Sequence, residues 1–401
     1  MYRKIEDLGN LNGKVVMLRA DLNVPMNENF EVTNTARIDR TVPTIKELMS
    51  KGAKVVVTSH LGRPSGKGDM ANSLTHIVKD LEKSLGKHVV FVDDCIGSKV
   101  EDAIKNMSAD EVLLLENLRF YKEEEKGDEN FAKELVAHVD AYVSDAFSAA
   151  HRNHASMVAA VKMRPSAFGR LMEEEVNALT KGLNSPYRPL MAIVGGSKVS
   201  TKLDLLNNLV KRVDKLVIAG GMSQTFLRAM GAETVNENNS LVQMHMLDTA
   251  KEIMATAQAN NCKIILPVDV VVAKEFKANA EHKVVNIDKI PAEGWTIVDA
   301  GIMTVALIYK ELMGCETLIW NGPLGVFEMK PFDNATNAVA EYVAELTQDG
   351  EITSVAGGGD TVSALANAGV EKKFSYISTA GGAFLEWMEG KELPGVEVLK
   401  K

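Results

Sequence analysis

The chain has 401 residues, 46% of them hydrophobic and 25% charged, with a formal net charge of −9. That length exceeds what one hydrophobic core usually supports, so two domains of about 200 residues are expected. The acidic balance argues against a nucleic-acid surface. Three well-separated cysteines favour reduced thiols over a disulfide framework. No secretory signal or apolar run of membrane length is apparent, so we expect a cytoplasmic protein without a membrane segment.

The first half of the chain alternates short apolar runs with longer amphipathic stretches, a pattern typical of βα units around a buried parallel sheet. The predicted strands cover residues 15–18, 55–58, 89–92, 112–115 and 142–144. Four of them lead into polar or basic loops, and the strand at 89–92 ends in two aspartates. In open α/β sheets ligands bind beyond the carboxyl ends of the strands, so these loops should converge.

Pooling the loops gives a candidate anion site rich in cations. Its members are Asp21, Asn23, Arg37, His60, Arg63, Arg119 and Arg152. So many cations in an acidic protein need a counter-charge, and a small, highly anionic ligand with phosphate or carboxylate oxygens would supply it. Each arginine alone is also compatible with a surface ion pair. His151 and His154 have no third ligand at a suitable spacing, so a metal site there is not favoured.

A helical pattern follows at residues 168–183, and Pro186 and Pro189 end it. A new series of βα units begins beyond it, which predicts a domain boundary. The predicted ranges are 1–168 for the first domain, 169–188 for a connecting helix and linker, and 189–385 for the second domain. The pattern leaves open whether this helix bridges two domains or packs on one.

In the second half, the predicted strands cover residues 191–194, 216–219, 263–266, 318–320, 354–356 and 376–378. Most of them end in glycine, which lets backbone N–H groups approach a polyphosphate or lets an adenine lie against the main chain. Lys198 and Lys202 are predicted to share one face at the start of a helix, although a solvated helix face explains two lysines equally well. Neither the P-loop pattern nor the G-x-G-x-x-G fingerprint occurs in the chain.

The run GGGDT at 357–361 concentrates this chemistry. Backbone without Cβ atoms can curl so that successive N–H groups face a phosphate. Asp360 adds a hard oxygen ligand suited to Mg²⁺, and Thr361 would lie near a helix N-terminus that favours anions. A lone glycine triplet is also compatible with a tight turn.

Taken in order, these motifs closely resemble those of the phosphoglycerate kinase family, over essentially the whole chain. They are DLNVP at 21–25, Arg37, SHLGRP at 59–64, ENLRF at 116–120, HRNHAS at 151–156, GGSKV at 195–199, WNGPLGVFE at 320–328, GGGDT at 357–361 and LPGV at 393–396. The chain departs from the family's frequent residues at Ser197, at Leu324 and at 148–150, and none of these departures removes a charged group.

The resemblance implies an α/β fold with two Rossmann-like three-layer domains, mainly parallel sheets, a connecting helix and an active site in the interdomain cleft. The C-terminal tail, from about residue 386 to 401, would return to the first domain. It also implies a monomer that transfers a phosphoryl group reversibly between ATP and the carboxylate of 3-phospho-D-glycerate, with Mg²⁺, by hinge-type domain closure.

The resemblance further implies which residues carry the reaction. The anion site described above would bind 3-phosphoglycerate. The nucleotide, ATP or ADP, would be bound by Lys198, Lys202, Gly220, Gly221, Asn321, Gly322, Pro323, Glu328, Gly358, Gly359, Asp360 and Thr361, with Mg²⁺ at Asp360. The catalytic groups would be Arg37, Lys198, Gly381 and Gly382.

Two other functions stay open at this point. A nicotinamide-dependent dehydrogenase would also use glycine-ended strands, but the missing fingerprint and the cationic first half count against it. A non-enzymatic anion-binding or scaffold protein would have no need of Asp360 beside a phosphate-binding loop.

Overall fold

Two six-stranded parallel sheets organise the chain, one in each of the two units into which it divides. The computed structural model describes residues 1–108 and 110–401. Unit 1 comprises Met1–Val176 with Glu392–Lys401, and unit 2 comprises Asn177–Lys391. None of the helices in the described ranges combines the length and the hydropathy needed to cross a membrane.

The sheet of unit 1 contains the strands predicted from the sequence and one more. Its strands are β1 (Val15–Ala20), β2 (Lys54–Thr58), β3 (His88–Val92), β4 (Glu111–Leu115), β5 (Ala141–Asp145) and β6 (Ser166–Phe168). They lie in the order β3-β4-β2-β1-β5-β6, with every neighbouring pair parallel. The short strand β6 was not predicted.

The order of strands in unit 1 reverses between β1 and β5. The chain runs outward on one side of β1 through β2, and returns to the other side through β5 and β6. At such a switch point the connecting loops diverge and leave a crevice beyond the carboxyl ends of the strands, where ligands bind. The residues directly after β1 and β5 therefore lie at the position where a ligand is expected.

The helices of unit 1 are α1 (Ala36–Ser50), α2 (Val78–Leu85), α3 (Ser98–Asn106), α4 (Lys122–Lys126), α5 (Glu129–Leu135) and α6 (Ala160–Lys162). Four of them, α1, α2, α3 and α6, contact strands of this sheet, and α4 and α5 contact other helical segments. Helix α1 buries Ile38, Ile45 and Leu48, whose spacing repeats the helical period, and it packs on β1, β2 and α2. This apolar stripe fixes α1, and with it Arg37 in its first turn.

The connecting helix α7 (Arg170–Leu179) continues into a π-helical segment, Thr180–Asn184. The predicted apolar positions Leu171, Val176, Leu179 and Leu183 are all buried. The division between the two units lies inside α7, after Val176. The domain ranges predicted from the sequence stay a prediction.

Unit 2 contains a second parallel sheet and a small antiparallel one. Its strands are β7 (Leu190–Val194), β8 (Lys215–Ile218), β9 (Lys263–Ile265), β10 (Asp269–Ala273), β11 (His282–Asn286), β12 (Thr296–Ala300), β13 (Thr317–Asn321), β14 (Thr353–Gly357) and β15 (Tyr376–Ser378). The parallel sheet has the order β15-β14-β13-β7-β8-β9, and its switch point lies between β7 and β13. The antiparallel sheet β11-β10-β12 was not predicted: β11 is mostly exposed and shows no apolar run, and the valine run of β10 was not assigned to a strand.

The helices of unit 2 are α8 (Leu203–Leu209), α9 (Gly221–Ala229), α10 (Leu247–Ala259), α11 (Ile302–Leu312), α12 (Asn334–Gln348), α13 (Gly359–Asn367) and α14 (Gly382–Met388). Its main core includes Ile193, Leu318, Trp320, Val339 and Val343, from two central strands and from α12. The predicted fold class, α/β with mainly parallel sheets, is confirmed.

The C-terminal segment belongs to unit 1. Its helix α15 (Pro394–Glu397) lies between Leu393 and Leu399, which are both buried. The Gly395 N–H donates to the Ala150 carbonyl at 2.9 Å, and the Arg3 N–H donates to the Leu399 carbonyl at 3.0 Å. The two ends of the chain therefore meet in one unit.

Candidate active site

Asp21 and Arg37 form a pair at the switch point of unit 1. Asp21, directly after β1, is 5% exposed and accepts hydrogen bonds from Arg37 Nη1 at 2.8 Å to each of its carboxylate oxygens. The Ser148 hydroxyl, from the loop after β5, donates to Asp21 Oδ2 at 2.5 Å. The carboxylate thus orients the Arg37 guanidinium, whose side chain keeps 29% of its area exposed. Ser148 belongs to the stretch where the sequence departs from the family.

The backbone of Gly62 links two further predicted residues. Asn23 Oδ1 accepts from the Gly62 N–H at 2.8 Å, and Arg119 Nη1 donates to the Gly62 carbonyl at 2.7 Å. Gly62 has φ +59°, in the left-handed region that favours glycine. Arg63 follows it and is exposed, and the described residues give its side chain no hydrogen bond or ion pair. Loop 59–64 therefore carries an exposed arginine on a backbone held by two neighbours.

His60 lies against an arginine that the sequence analysis passed over. Arg19 is within β1, is 1% exposed, and its Nη2 lies 3.1 Å from His60 Nδ1. Burial, together with Arg19 and Arg119, keeps the pKa of His60 well below its usual range. His60 is therefore neutral at pH 7. Arg19 directly follows the predicted strand 15–18 but was not included among the candidate cations, and the structure places it inside β1.

The remaining arginines add to the positive charge around His60. Arg37 and Arg152 also lower the His60 pKa, and burial followed by the charge of Arg152 lowers the pKa of Arg119. Arg119 Nε lies 3.3 Å from Glu125 Oε1 as an ion pair, without hydrogen-bond geometry. The predicted cations other than Arg63 therefore converge around His60. Among the described residues, Arg63 makes no hydrogen bond or ion pair with them.

The two histidines at 151 and 154 do not indicate a metal centre. His154 Nδ1 lies 3.8 Å from Glu124 Oε1, and burial with the charge of Arg119 lowers the pKa of His154 to about 3. Within the described ranges, no three His, Cys, Asp or Glu side chains are grouped as metal ligands.

In unit 2, the ends of β7 and β13 touch through glycine. The Gly195 N–H donates to the Asn321 carbonyl at 2.9 Å. A Cβ on Gly195 would lie 2.8 Å from the Gly322 carbonyl carbon and closer still to the Pro323 carbonyl oxygen. Gly322 has φ +99°. Only glycine at these two positions lets one main chain approach the other so closely.

Lys202 is held at this junction. Its Nζ donates to the Gly195 carbonyl at 2.5 Å and to Asn321 Oδ1 at 2.7 Å. Burial lowers the pKa of Lys202 to about 8, and the charge of Asp360 opposes the shift. This ammonium lies among backbone carbonyls, at the place where a phosphate is expected.

The prediction that Lys198 and Lys202 share one helix face is wrong. A 3₁₀ turn, Val199–Thr201, separates them, and α8 begins only at Leu203. The tighter turn, with about three residues per turn, sends the two side chains in different directions. Lys198 is exposed, whereas Lys202 is half-buried.

The GGGDT run joins the same junction. Asn321 Nδ2 donates to the Gly357 carbonyl at 2.8 Å, and Thr361 Oγ1 accepts from the Gly322 N–H at 2.7 Å. Gly358 precedes α13 with φ +98°, and Asp360 is exposed in the first turn of that helix. The strand ends of β7, β13 and β14 thus meet, as the sequence indicated.

A cavity of about 320 Å³ lies beside this junction. Its predicted lining residues are Gly220, Gly221, Pro323, Glu328 and Asp360. Leu241, Phe276 and Asp299 are among the lining residues that the sequence analysis missed. Leu241 and Phe276 are 51% and 61% exposed, and an apolar and an aromatic side chain beside glycines suit a flat heteroaromatic ring. Nothing in the sequence around them marked either residue, because neither lies directly at a predicted strand end.

Asp299 is a buried carboxyl in the wall of that cavity. It accepts from the Ala300 N–H at 2.9 Å and from the Ala335 N–H, near the start of α12, at 3.1 Å. Burial raises its pKa to about 8 against these two hydrogen bonds. Its position under Gly325 leaves no space for a side chain there.

Gly381 and Gly382 lie at the N-terminus of α14. Gly381 has φ +52° and precedes the helix, which begins at Gly382, and both residues are exposed. A Cβ on Gly381 would meet nothing within 4 Å. The backbone N–H groups at this helix end are thus open to an approaching group.

The residues present suit one divalent cation. Asp360 offers an exposed carboxylate beside the phosphate-binding loop, and Mg²⁺ commonly takes one or two protein carboxylates together with substrate phosphates and water. The donor set of the site therefore fits Mg²⁺ carried with a nucleotide.

The chain is similar to proteins of one family along its whole length. A family model described as phosphoglycerate kinase matches residues 5–391. The phosphoglycerate kinase of Methylorubrum extorquens (strain PA1) is 53% identical over 399 residues, which cover 100% of this chain and 98% of that protein. The phosphoglycerate kinase of Brucella abortus biovar 1 (strain 9-941) is 53% identical over 401 residues, which cover 100% of both chains.

Solved structures agree with these sequence matches. The phosphoglycerate kinase from Coxiella burnetii aligns with a TM-score of 0.90 at 39% identity, covering 100% of this chain and 99% of that chain. The phosphoglycerate kinase from Pyrococcus horikoshii OT3 aligns with a TM-score of 0.80 at 30% identity, covering 100% and 98%.

Proposed function

The chain belongs to the phosphoglycerate kinase family, and from this premise we propose that it transfers the γ-phosphoryl group of ATP reversibly to the carboxylate of 3-phospho-D-glycerate. The products are ADP and 1,3-bisphosphoglycerate. One observation supports this reaction above the alternatives. In unit 1, arginines lie together at the switch point of the sheet. In unit 2, three glycine-ended strands meet near Lys202 and Asp360 at the switch point of the second sheet.

The nucleophile in this reaction requires no general base. A carboxylate with a pKa near 4 is already ionised at neutral pH, so no proton has to be removed before it attacks phosphorus. The neutral His60 and the paired Asp21 are therefore binding groups. The rate must come from alignment and from compensation of charge on the transferring group.

On the acceptor side, the arginines bind an anion with several charges. Arg119 and Arg152 compensate its charge, and Asp21 and Asn23 provide oxygens that can accept from its hydroxyl group. Arg37, oriented by Asp21, bridges the acceptor carboxylate and the transferring phosphoryl group. Exposed Arg63 closes onto the substrate from loop 59–64.

On the nucleotide side, Leu241 and Phe276 contact the base, and Glu328 accepts from the ribose hydroxyls. Gly220, Gly221, Gly322 and Pro323 lie along the nucleoside, and Gly358, Gly359 and Thr361 lie along the phosphates. Lys202, held by Asn321, donates to a phosphoryl oxygen. When bound at Asp360, Mg²⁺ supplies charge compensation on the nucleotide phosphates.

The transfer itself uses groups that the free protein leaves exposed. Lys198 and the N–H groups of Gly381 and Gly382 donate to the phosphoryl oxygens as charge shifts in the transition state. Because acceptor and nucleotide bind to different units, we propose that hinge-type closure brings them together and excludes water. A fall in the radius of gyration by small-angle X-ray scattering, with both substrates and not with either alone, checks this step.

Two features argue against the alternatives. A nicotinamide-dependent dehydrogenase does not need the cationic switch point of unit 1. A non-enzymatic anion-binding protein has no use for Asp360 and Lys202 at a second switch point. The monomeric state and the cytoplasmic location predicted from the sequence stay predictions.

A coupled assay tests the proposed function. The purified chain is given ATP, Mg²⁺ and 3-phosphoglycerate, and ADP formation is followed. We expect ADP formation that depends on 3-phosphoglycerate and stops on chelation of Mg²⁺. Formation of ADP at the same rate without 3-phosphoglycerate, or none with it, would contradict the proposal.

A further inference from the structure

Arg19 is a buried arginine in which each of the three guanidinium nitrogens has a partner. Its side chain is 1% exposed, so water does not compensate its charge. Nε donates to Ser156 Oγ at 2.9 Å, Nη1 donates to the Ala20 carbonyl at 2.5 Å, and Nη2 lies 3.1 Å from His60 Nδ1. A buried charge is tolerated only when it is hydrogen-bonded in this way.

The contact with His60 has only one chemical interpretation. A guanidinium carries donors and no acceptor, and it does not lose its proton in proteins. His60 Nδ1 must therefore be the acceptor, which requires a neutral imidazole with its proton on Nε2. A cationic His60, or the tautomer with the proton on Nδ1, would direct one N–H group at another. Within the described residues, Nε2 has no hydrogen-bond partner.

A second layer of contacts fixes Arg19 itself. The Ser156 hydroxyl donates its single proton to Glu124 Oε1 at 2.5 Å, so its oxygen is left to accept from Arg19. The Ser156 N–H donates to Glu124 Oε2 at 2.9 Å, and the Tyr142 hydroxyl donates to the Ser156 carbonyl at 2.7 Å. In the series of hydrogen bonds that links Glu124, Ser156, Arg19 and His60, the donor and the acceptor of each bond are therefore defined.

We propose that Arg19 is a positioning residue that fixes His60 as the neutral Nε2–H tautomer, so that His60 presents a hydrogen-bond donor to an oxygen of the bound phosphoglycerate. The identity of that ligand rests on the proposed function, whereas the tautomer does not. Arg37, Arg119 and Arg152 face the same ring and also oppose its protonation. His60 therefore recognises an anion through the orientation of its Nε2–H group, and it adds no charge that varies with pH.

The wild-type protein provides the first test. Nitrogen NMR on protein with ¹⁵N-labelled histidine reports which ring nitrogen carries the proton. For His60 we expect a bare Nδ1 and a protonated Nε2 across about pH 5 to 8, with no titration. A proton on Nδ1, or a titration near the ordinary histidine pKa, overturns the proposal.

The second test removes the donor. Arg19→Met should release His60 into a mixture of tautomers that titrates within the same pH range. The KM for 3-phosphoglycerate should rise about tenfold to hundredfold, because a hydrogen bond to a charged group is lost, while the KM for ATP stays unchanged. An unchanged KM for 3-phosphoglycerate, or equal rises for both substrates, overturns the positioning role.

A matched control and a milder variant complete the design. Arg164, in the segment that precedes β6, donates to the Val136 and Val139 carbonyls in the segment that precedes β5. These segments lie at the opposite end of the parallel strands from His60, so Arg164→Met should leave the His60 signals unchanged. If Arg19→Met does not fold, Ser156→Ala removes only the hydroxyl that holds Arg19 Nε and should give a smaller effect on His60 in the same direction. If the His60 signals in Ser156→Ala are identical to those of the wild type, the hydrogen bonds from Glu124 through Ser156 to Arg19 have no role in fixing His60.

The two proposals fail in different ways. If the reaction assay fails while His60 is the Nε2–H tautomer, the proposed function is wrong and the tautomer assignment is right. If the assay succeeds while His60 carries its proton on Nδ1, the role of Arg19 is wrong and the proposed function stands.

Discussion

At the scale of single residues, the site of unit 1 shows how buried charges are made tolerable. Asp21 is paired with Arg37 and hydrogen-bonded by Ser148, and Arg19 is hydrogen-bonded to His60 and Ser156. An unpaired charge at these depths would be costly, so each partner also fixes the geometry of the other. Positive charge remains in excess, and a multiply charged anion would neutralise it.

Arg37 is the residue whose loss should affect turnover most. In the proposed reaction Arg37 bridges the acceptor and the phosphoryl group, so Arg37→Ala should lower kcat by at least about a hundredfold. The Kd for ADP should stay within about twofold, since the nucleotide is bound by unit 2. Steady-state kinetics and calorimetric titration with ADP measure the two effects.

Arg37→Lys separates charge from shape. It keeps the positive charge but replaces the planar guanidinium, whose Nη1 contacts both Asp21 oxygens, with a single ammonium, so most of the loss should persist. Turnover in Arg37→Ala close to the wild-type value would exclude this role.

Lys202 should couple nucleotide binding to proton uptake. Its pKa, lowered by burial to about 8, leaves roughly half of the side chains neutral at pH 8. Nucleotide phosphates beside Nζ raise this pKa, so binding at pH 8 should take up about half a proton, and binding near pH 6.5 almost none.

Calorimetry in two buffers of different ionisation enthalpy measures that uptake. Lys202→Met serves as the reference, because it removes the titrating group while the phosphates of the nucleotide still titrate. The same uptake in wild type and variant would show that another group is responsible.

At the scale of elements, glycine is required where two strand ends approach each other. The junction of β7 and β13 leaves no space for a Cβ at Gly195, and the atoms in the way belong to the backbone of Gly322 and Pro323. A flexible side chain could move aside, but these atoms cannot move without shifting a central strand. The geometry of the proposed phosphate site and the stability of the sheet therefore depend on the same residue.

A matched pair of glycine variants tests this dependence. Gly195→Ala should destabilise the protein by about 1–3 kcal/mol or more, and it should weaken ADP binding as the strand ends separate. Gly359→Ala is the control, because a Cβ there meets nothing within 4 Å at the start of α13. It should leave the free energy of unfolding unchanged or raise it by up to about 1 kcal/mol.

Chemical denaturation compares the two variants. Equal destabilisation by Gly195→Ala and Gly359→Ala would mean that close packing at the junction is not the cause.

At the scale of the whole molecule, the C-terminal segment completes unit 1. Leu393, Val396 and Leu399 are almost fully buried. Each such side chain contributes about 1.5–3 kcal/mol when it is removed from water. The segment is therefore part of the core that supports the anion site, although it is far from that site in sequence.

Deletion of residues 392–401 should destabilise unit 1 selectively, by on the order of 5 kcal/mol. All three tryptophans, Trp295, Trp320 and Trp387, belong to unit 2, so their fluorescence reports on that unit, whereas far-UV circular dichroism reports on both. We expect an early unfolding transition by circular dichroism and little change by fluorescence.

Deletion of only the two exposed lysines at 400 and 401 is the control, and it should change little. An equal shift of both signals in the longer deletion would contradict a selective effect on unit 1.

Much of the fold could be predicted because buried parallel strands leave a strong local signal. The apolar runs of β1 to β5, β7 to β9 and β13 to β15 were all predicted to within a few residues. Strands β6 and β11 were missed because very short or exposed strands show little hydrophobic pattern, whereas the valine run of β10 was visible in the sequence and was not assigned. The prediction that Lys198 and Lys202 share one helix face was wrong because the sequence does not distinguish a 3₁₀ turn from the start of an α-helix.

The sequence by itself determined which kinds of groups the protein uses, since arginines and glycines that follow strands are local patterns. Only the tertiary structure decided which of them meet. The switch points bring Asp21 to Ser148 and Gly195 to Gly322 across more than a hundred residues, and Phe276 takes part through contacts that leave no local pattern. The physical reason is that strand order is set by how whole elements pack, whereas residue type and periodicity are set one segment at a time.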